Sequence, residues 1–157
     1  MAAGVRAHIG CILERFGLVL AEIERQRDAV LETETPGRSE QVIRDFIHLS
    51  GIGVQSATLL VREAFARSFP NAKALGAYAG LTGTPYRSGG LQREQEISKA
   101  GNNRLRVALV ELAWLWLRYQ PGSALARSFG KRLADGQGRM KKVLIVALAR
   151  KLLIALW

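Results

Sequence analysis

Ser88 stands in a glycine-rich stretch, GLTGTPYRSGG from Gly80 to Gly90, with Arg87 beside it and Arg93, Lys99, Arg104 and Arg106 following. A hydroxyl among cations suits attack on a phosphate: the cations offset charge developing on the phosphorus oxygens, while the serine, a poor nucleophile unaided, still needs a proton acceptor. Gly83, Pro85, Gly89 and Gly90 predict a loop rather than a regular element. On residue types alone two readings stand, a nucleophile toward phosphate or a solvated serine on a surface loop.

A second candidate is Leu49-Ser50-Gly51-Ile52-Gly53 between two helical patterns. It reads as a helix-hairpin-helix in which Gly51 and Gly53 present backbone N–H groups to a phosphate and Ile52 packs beneath. A Gly-x-Gly turn also serves as a plain tight connection, and the two readings are even. A third is the pair Gly101-Asn102, which opens an apolar helix with Arg104 and Arg106 in its first turn, close to Ser98 and Lys99; that clustering favours an anion site.

Charge supports the same direction. The 157 residues carry a formal charge of +10 and are 48% hydrophobic, enough for one folded domain with a real core. Residues 51–157 hold seventeen Lys/Arg against five Asp/Glu, whereas residues 1–50 hold six against eight. Such a field attracts polyanions, nucleic acid first among them. A generic basic domain and an anionic membrane surface are the competing readings. The apolar runs 107–117 and 143–157 are too short or too interrupted by Arg150 and Lys151 to span a bilayer, and both read as core helices. Cys11 is the single cysteine, so no internal disulfide or cysteine-built zinc site is expected, which fits a reducing cytoplasm. His8 and His48 lack ligand spacing, no metal site is expected, and no secretion signal is read at the start.

These groups need elements to hold them, and the pattern predicts an all-α fold with no run of strands. Val5, Ile9, Ile12, Phe16, Val19, Ile23 and Val30 alternate at four and three, with Gln26 at the remaining seam position. That is a coiled-coil-like helix over residues 1–35 that pairs with a second copy through residues 5–30 or folds back on its own domain. Thr33–Gly37 breaks it. A compact helical domain over 38–157 follows: a helix capped by Ser39 and running through Leu49, the hairpin, a short helix from Pro70-Asn71 to Tyr78-Ala79-Gly80, a weakly extended Gln92–Ile97, and helices over 102–117, 123–133 and 140–157. Arg150 and Lys151 read as a solvated face of the last helix.

Three stretches in order, Gly51 to Ala64, FPNAKALGAYAGLTGTPYRSGG and EISKAGNNRLRVALVELAW, resemble the C-terminal transposase domain of the insertion-sequence one-ten family, the bridge-RNA-guided recombinases related to Piv-type DNA invertases. The resemblance covers Leu49 to Tyr119. It implies a transposase or recombinase that performs DNA strand transfer, with a serine, matched here by Ser88, that attacks a DNA phosphate and holds the strand covalently. It implies that Arg87, Arg93, Ser98, Lys99, Asn102, Arg104 and Arg106 line the DNA side and that Gly51 and Gly53 grip the backbone. Partners are then DNA, with a structured guide RNA in the complete enzyme, in the bacterial cytoplasm at the nucleoid. Family members also carry an N-terminal RuvC-like domain whose four acidic residues bind a divalent metal, Mg2+ in expectation. This chain has no such domain, so it is expected to hold no cofactor and to bind DNA without recombining it. The rival reading is a non-catalytic, dimeric helix-hairpin-helix module for DNA or RNA, and a third is a protein-interaction domain whose charge serves solubility.

Overall fold

A computed structural model describes residues 2–32, 37–88, 91–97 and 100–157, the stretch from 84 to 97 by its backbone alone. The protein is helical as expected, with seven α-helices among the described residues: α1 (Ala2–Glu32), α2 (Arg38–Ile47), α3 (Val54–Leu59), α4 (Ala72–Tyr78), α5 (Asn103–Tyr119), α6 (Ala124–Asp135) and α7 (Arg139–Leu156). A π-helical turn over Leu60–Phe65 continues α3, its Ala66 N–H reaching back five residues to the Val61 carbonyl at 2.8 Å.

The departure from expectation lies at Ser88. In place of a loop, β1 (Gly83–Ser88) and β2 (Leu91–Ile97) pair antiparallel in a two-stranded ribbon. Thr84, Tyr86 and Ile97 suit extended backbone, and Pro85 sits near a strand start, where proline is tolerated. Pairing between the two segments overrides the glycine signal, and the extended reading of Gln92–Ile97 belongs to β2. The register passes from Gly83↔Ile97 to Pro85↔Glu94, so β2 carries one extra residue near the root. Such a bulge bends and twists the ribbon.

The core is one cluster drawn from α2 through α7. Leu60, Leu75, Leu105, Leu109, Leu112, Leu148, Leu152 and Leu153 are its fully buried large side chains. Burying each stabilises by about 1.5–3 kcal/mol relative to leaving it in water. α5 and α7 pack most extensively on each other, and α7 also covers α6 and α4. The spacing of Leu144, Ile145, Leu148, Ala149, Leu152 and Leu153 places them along one stripe of α7, while Lys151 is exposed as expected. Arg150 is only partly so.

Caps follow sequence chemistry in most places. The Asn71, Asn102 and Ser123 side chains each accept a backbone N–H at the start of α4, α5 and α6. α2 is an exception: Gly37 is its N-cap and Ser39 lies inside the first turn. α4 ends in a Schellman arrangement in which Gly80, at φ +66°, donates to Ala77 O and Leu81 donates to Gly76 O, each at 2.9 Å.

α1 touches α2 and α3 but supplies no residue to this core. Val5, Ile9, Ile12, Phe16, Val19 and Ile23, the seam residues, are all exposed, so the helix does not fold back over its own domain through that stripe. Gln26 donates to the Glu22 carboxylate at 2.9 Å along the same helix. That bond first, and Arg25 second, hold the Glu22 carboxyl below its usual range. The break read at Thr33–Gly37 falls, except for Gly37, outside the described residues.

Gly101 makes the closest backbone approach in the fold: a Cβ there would sit 2.3 Å from Gly80 N and 2.6 Å from Tyr78 O. Backbone cannot yield as a side chain does. Gly101→Ala is therefore expected to destabilise by on the order of 3 kcal/mol, a melting temperature lower by about 6–12 °C. Gly130, inside α6 with nothing within 4 Å of its would-be Cβ, sets the contrast. Gly130→Ala should raise stability by about 0.5–1 kcal/mol, and thermal melts of the two variants read both effects.

Candidate nucleic-acid interface

The ribbon register arranges the serine and two of its cations. Ser88 is the last residue of β1 and pairs with Leu91; Arg87 pairs with Gln92 and Tyr86 with Arg93. Arg87 and Arg93 thus lie within two ladder positions of Ser88. Five residues of extended chain, about 16 Å, separate Ser88 from Gly83 at the root. The candidates therefore divide into a group at the ribbon's far end, Arg87, Ser88 and Arg93, and a group at its root, Asn102, Arg104 and Arg106. Ser98 and Lys99 lie outside the described residues.

At the root, Asn102 ties three elements together. Its Oδ1 accepts from Leu105 N–H at 3.1 Å, capping α5, and its backbone N–H donates to Tyr78 O at 2.7 Å. Its Nδ2 donates to Glu63 Oε2 at 2.7 Å and lies 3.3 Å from Tyr78 Oη. Glu63 comes from the π-helical turn, whose wider winding is a common device at functional sites. The other Glu63 oxygen meets Arg104 Nη1 at 3.4 Å, yet the Arg104 side chain remains 78% exposed. An ion pair so solvated contributes under about 1 kcal/mol and leaves the guanidinium available.

The start of α5 is electrostatically one-sided. Its first turn has no acidic residue and carries Arg104 and Arg106, at the end of a helix whose unpaired N–H groups already bear partial positive charge. Arg106 Nη2 donates to Asn103 Oδ1, while its Nη1 is buried without a partner. Arg67 lies over the Tyr78 ring at 5.1 Å from its centroid. An arriving anion would relieve this concentration of positive charge.

The hairpin glycines have different roles. Gly51, at φ +93°, backs onto α5, where a Cβ would lie 3.4 Å from Leu115 O. Ile52 is buried beneath as read from sequence, and Gln120 Nε2 donates to Ser50 O at 3.2 Å. Gly53 has an ordinary extended backbone, is exposed and has open space around it. The fold thus requires glycine at 51, whereas at 53 it leaves room for a close neighbour.

Glu63, Tyr78 and Arg67 escaped the sequence reading, because nothing in their spacing shows that a π-helical turn and a helix end meet at Asn102. Among the described residues no group of three or more His, Cys, Asp or Glu could hold a metal ion. No helix among the described residues is long and apolar enough to cross a membrane.

Known proteins similar to this chain are transposases by name. The model of the Transposase IS116/IS110/IS902 family matches residues 45–128, a span that includes the hairpin, the ribbon and α5. A Sinorhizobium fredii protein named as transposase y4rJ is 42% identical over 98% of this chain. A Pseudomonas aeruginosa protein named as a family 20 transposase is 33% identical over 88% of it. The chain spans 41% and 39% of the lengths of these two relatives.

The Asn102 network has a pH signature. Asn102→Asp keeps the capping oxygen but sets a second carboxylate where the Asn102 amide meets Glu63. Like charges raise the folded-state pKa of the pair, so the penalty is fully present above the folded values and fades as the pH falls toward about 4. Asn102→Ala, losing cap and amide together, should cost about 1–2 kcal/mol with no such pH dependence. Denaturant unfolding of both variants at neutral and acid pH checks the difference.

Proposed function

The chain belongs to the IS116/IS110/IS902 transposase family, and on that premise we propose that it is the DNA-binding, serine-bearing portion of a larger DNA transposase. The observation that carries the reading is the family match over residues 45–128, which takes in Ser88, its ribbon and the cationic start of α5. In this reading Ser88 Oγ attacks a backbone phosphorus. An Oγ–P ester forms, the P–O bond to one sugar breaks, and the strand stays joined to the protein until the freed hydroxyl of a recombining strand reverses the step. The bond count is conserved, so no external energy source is needed. The serine proton passes to a base supplied by a part of the enzyme outside this chain, and the departing sugar oxygen takes up a proton.

The division between ribbon end and root suggests distinct tasks. Arg87 and Arg93, nearest to Ser88 along the ladder, offset charge on the reacting phosphate. Lys99, Arg104 and Arg106 hold further phosphates of the same duplex, with Ser98 and Asn102 beside them, while Gly53 admits the backbone at the hairpin. A ribbon about 16 Å long lets the serine reach a base carried on another part of the enzyme.

The bare seam of α1 supports self-association. Its exposed apolar residues recur at heptad spacing from Val5 to Ile23, and the sequence pattern continues to residue 30, a pattern that buries itself best against a second such helix. The pairing keeps two serine-bearing ribbons in one assembly.

Three outcomes test this function. The chain should bind duplex DNA with an affinity that falls steeply with salt, and Arg104→Ala should reduce the log–log slope by about 0.9; absence of binding at low salt would sink the reading. Ser88→Ala should leave that binding unchanged but abolish strand cleavage and joining in the complete enzyme, whereas the non-catalytic rival expects no effect on any activity. Placing Asp at both Ile12 and Val19 should convert a dimer to a monomer in sedimentation equilibrium while leaving the helical core's melting intact.

A further inference from the structure

We propose that Arg150 of α7 is an additional contact to the nucleic-acid phosphate backbone, held at the root of the ribbon by the missing side chain of Gly76. The proposal rests on the DNA-binding reading above and names a site on a helix that the reading does not otherwise use.

The geometry is specific. A Cβ at Gly76 would lie 3.2 Å from Arg150 Nε, 3.8 Å from its Cδ and 3.3 Å from Thr82 Cγ2. The arginine stem therefore crosses α4 where the helix has only bare backbone, next to the residue that leads into β1. Two residues further along α4, Tyr78 joins Asn102. Arg150 adds a cation from α7 to those that α5 brings to the same root.

The electrostatics point to an anion. Arg150 Nε is buried and has no hydrogen-bond partner, and among the described residues no carboxylate pairs with it. An N–H stripped of water with no acceptor costs free energy, and a charged group in that position costs more. A leucine or methionine would fill the same stem volume without that penalty. Guanidinium carries a rigid fork of donors suited to phosphate oxygens, and Arg150 is partly exposed, so with its stem and Nε fixed against Gly76 the residue can offer that fork to a backbone phosphate at the ribbon root.

The test is duplex-DNA binding by this chain, followed by fluorescence anisotropy across a salt series, with melting temperature measured on each variant. Arg150→Gln is expected to weaken binding about five- to tenfold near 0.1 M salt and to reduce the salt slope by about 0.9, the loss of one phosphate contact. Arg150→Lys should recover the slope with part of the affinity. Gly76→Ala, which moves the guanidinium without removing charge, should weaken binding without lowering the melting temperature. An equal effect from Lys151→Gln would mean general charge alone and would overturn the proposal. So would an Arg150→Gln chain that melts earlier yet keeps its salt slope, because Arg150 would then serve packing only. If Arg104→Ala weakens binding and Arg150→Gln does not, the Arg150 site falls while the DNA-binding function stands; if the wild-type chain binds no DNA, both fall.

Discussion

The rest of the structure depends on one closure, where the end of α4 meets the start of α5. Asn102 N–H donates to Tyr78 O at 2.7 Å, and Gly101 lies so close to Gly80 that no side chain fits between them. Between these two points the chain leaves the helical body, runs out along β1 and returns along β2. Because both ends are pinned, the excursion is short, and its cheapest way to satisfy backbone N–H and C=O groups is to pair with itself. The ribbon that carries Ser88 is a consequence of that closure. The Asn102 side chain reinforces it by capping α5 while holding Glu63, so a hydrogen-bond pattern at one residue sets both the foot of the ribbon and the direction of the first cations.

The same closure gives the basic surface its layout. Arg67, distant in sequence, joins Arg104 and Arg106 around one helix start that lacks any acid in its first turn. In a solvated setting their mutual repulsion is modest, and the one ion pair to Glu63 is too exposed to neutralise Arg104. What remains is a patch of positive charge open to an anion. A transposase family supplies a natural one, the phosphates of the DNA on which the proposed chemistry acts. The chain spans 41% of the length of its Sinorhizobium relative.

α1 obeys a different constraint. The core of α2 to α7 draws no residue from it, and the apolar surface it exposes includes Leu13, Leu18 and Leu20 beside the heptad positions, so the stripe is broader than a strict seam. Helical propensity alone does not offset the cost of holding such a stripe in water, which is the physical ground for the pairing proposed above.

Much of the protein is legible in its residues. Apolar periodicity located α1, α5 and α7, because a helix that buries one stripe must repeat it every three or four positions. Asn71, Asn102 and Ser123 announced helix starts, because a short polar side chain before an apolar run satisfies orphan N–H groups locally. The asymmetry of charge pointed to a polyanion, and the motif order pointed to the family. Ser39 failed as a cap because tertiary packing of Ile43, Phe46 and Ile47 sets where α2 begins. The Ser88 segment was misread as a loop because strand pairing is a non-local interaction that glycine and proline content does not report. Glu63 and Arg150 stayed hidden for the same reason. One is aimed by a π-helical turn onto Asn102, and the other lies against a glycine on a different helix. Local chemistry thus determined which helices form and which charge they carry; only the folded chain decided which distant residues share the root of the ribbon, because that depends on close approaches between elements that no single stretch of sequence contains.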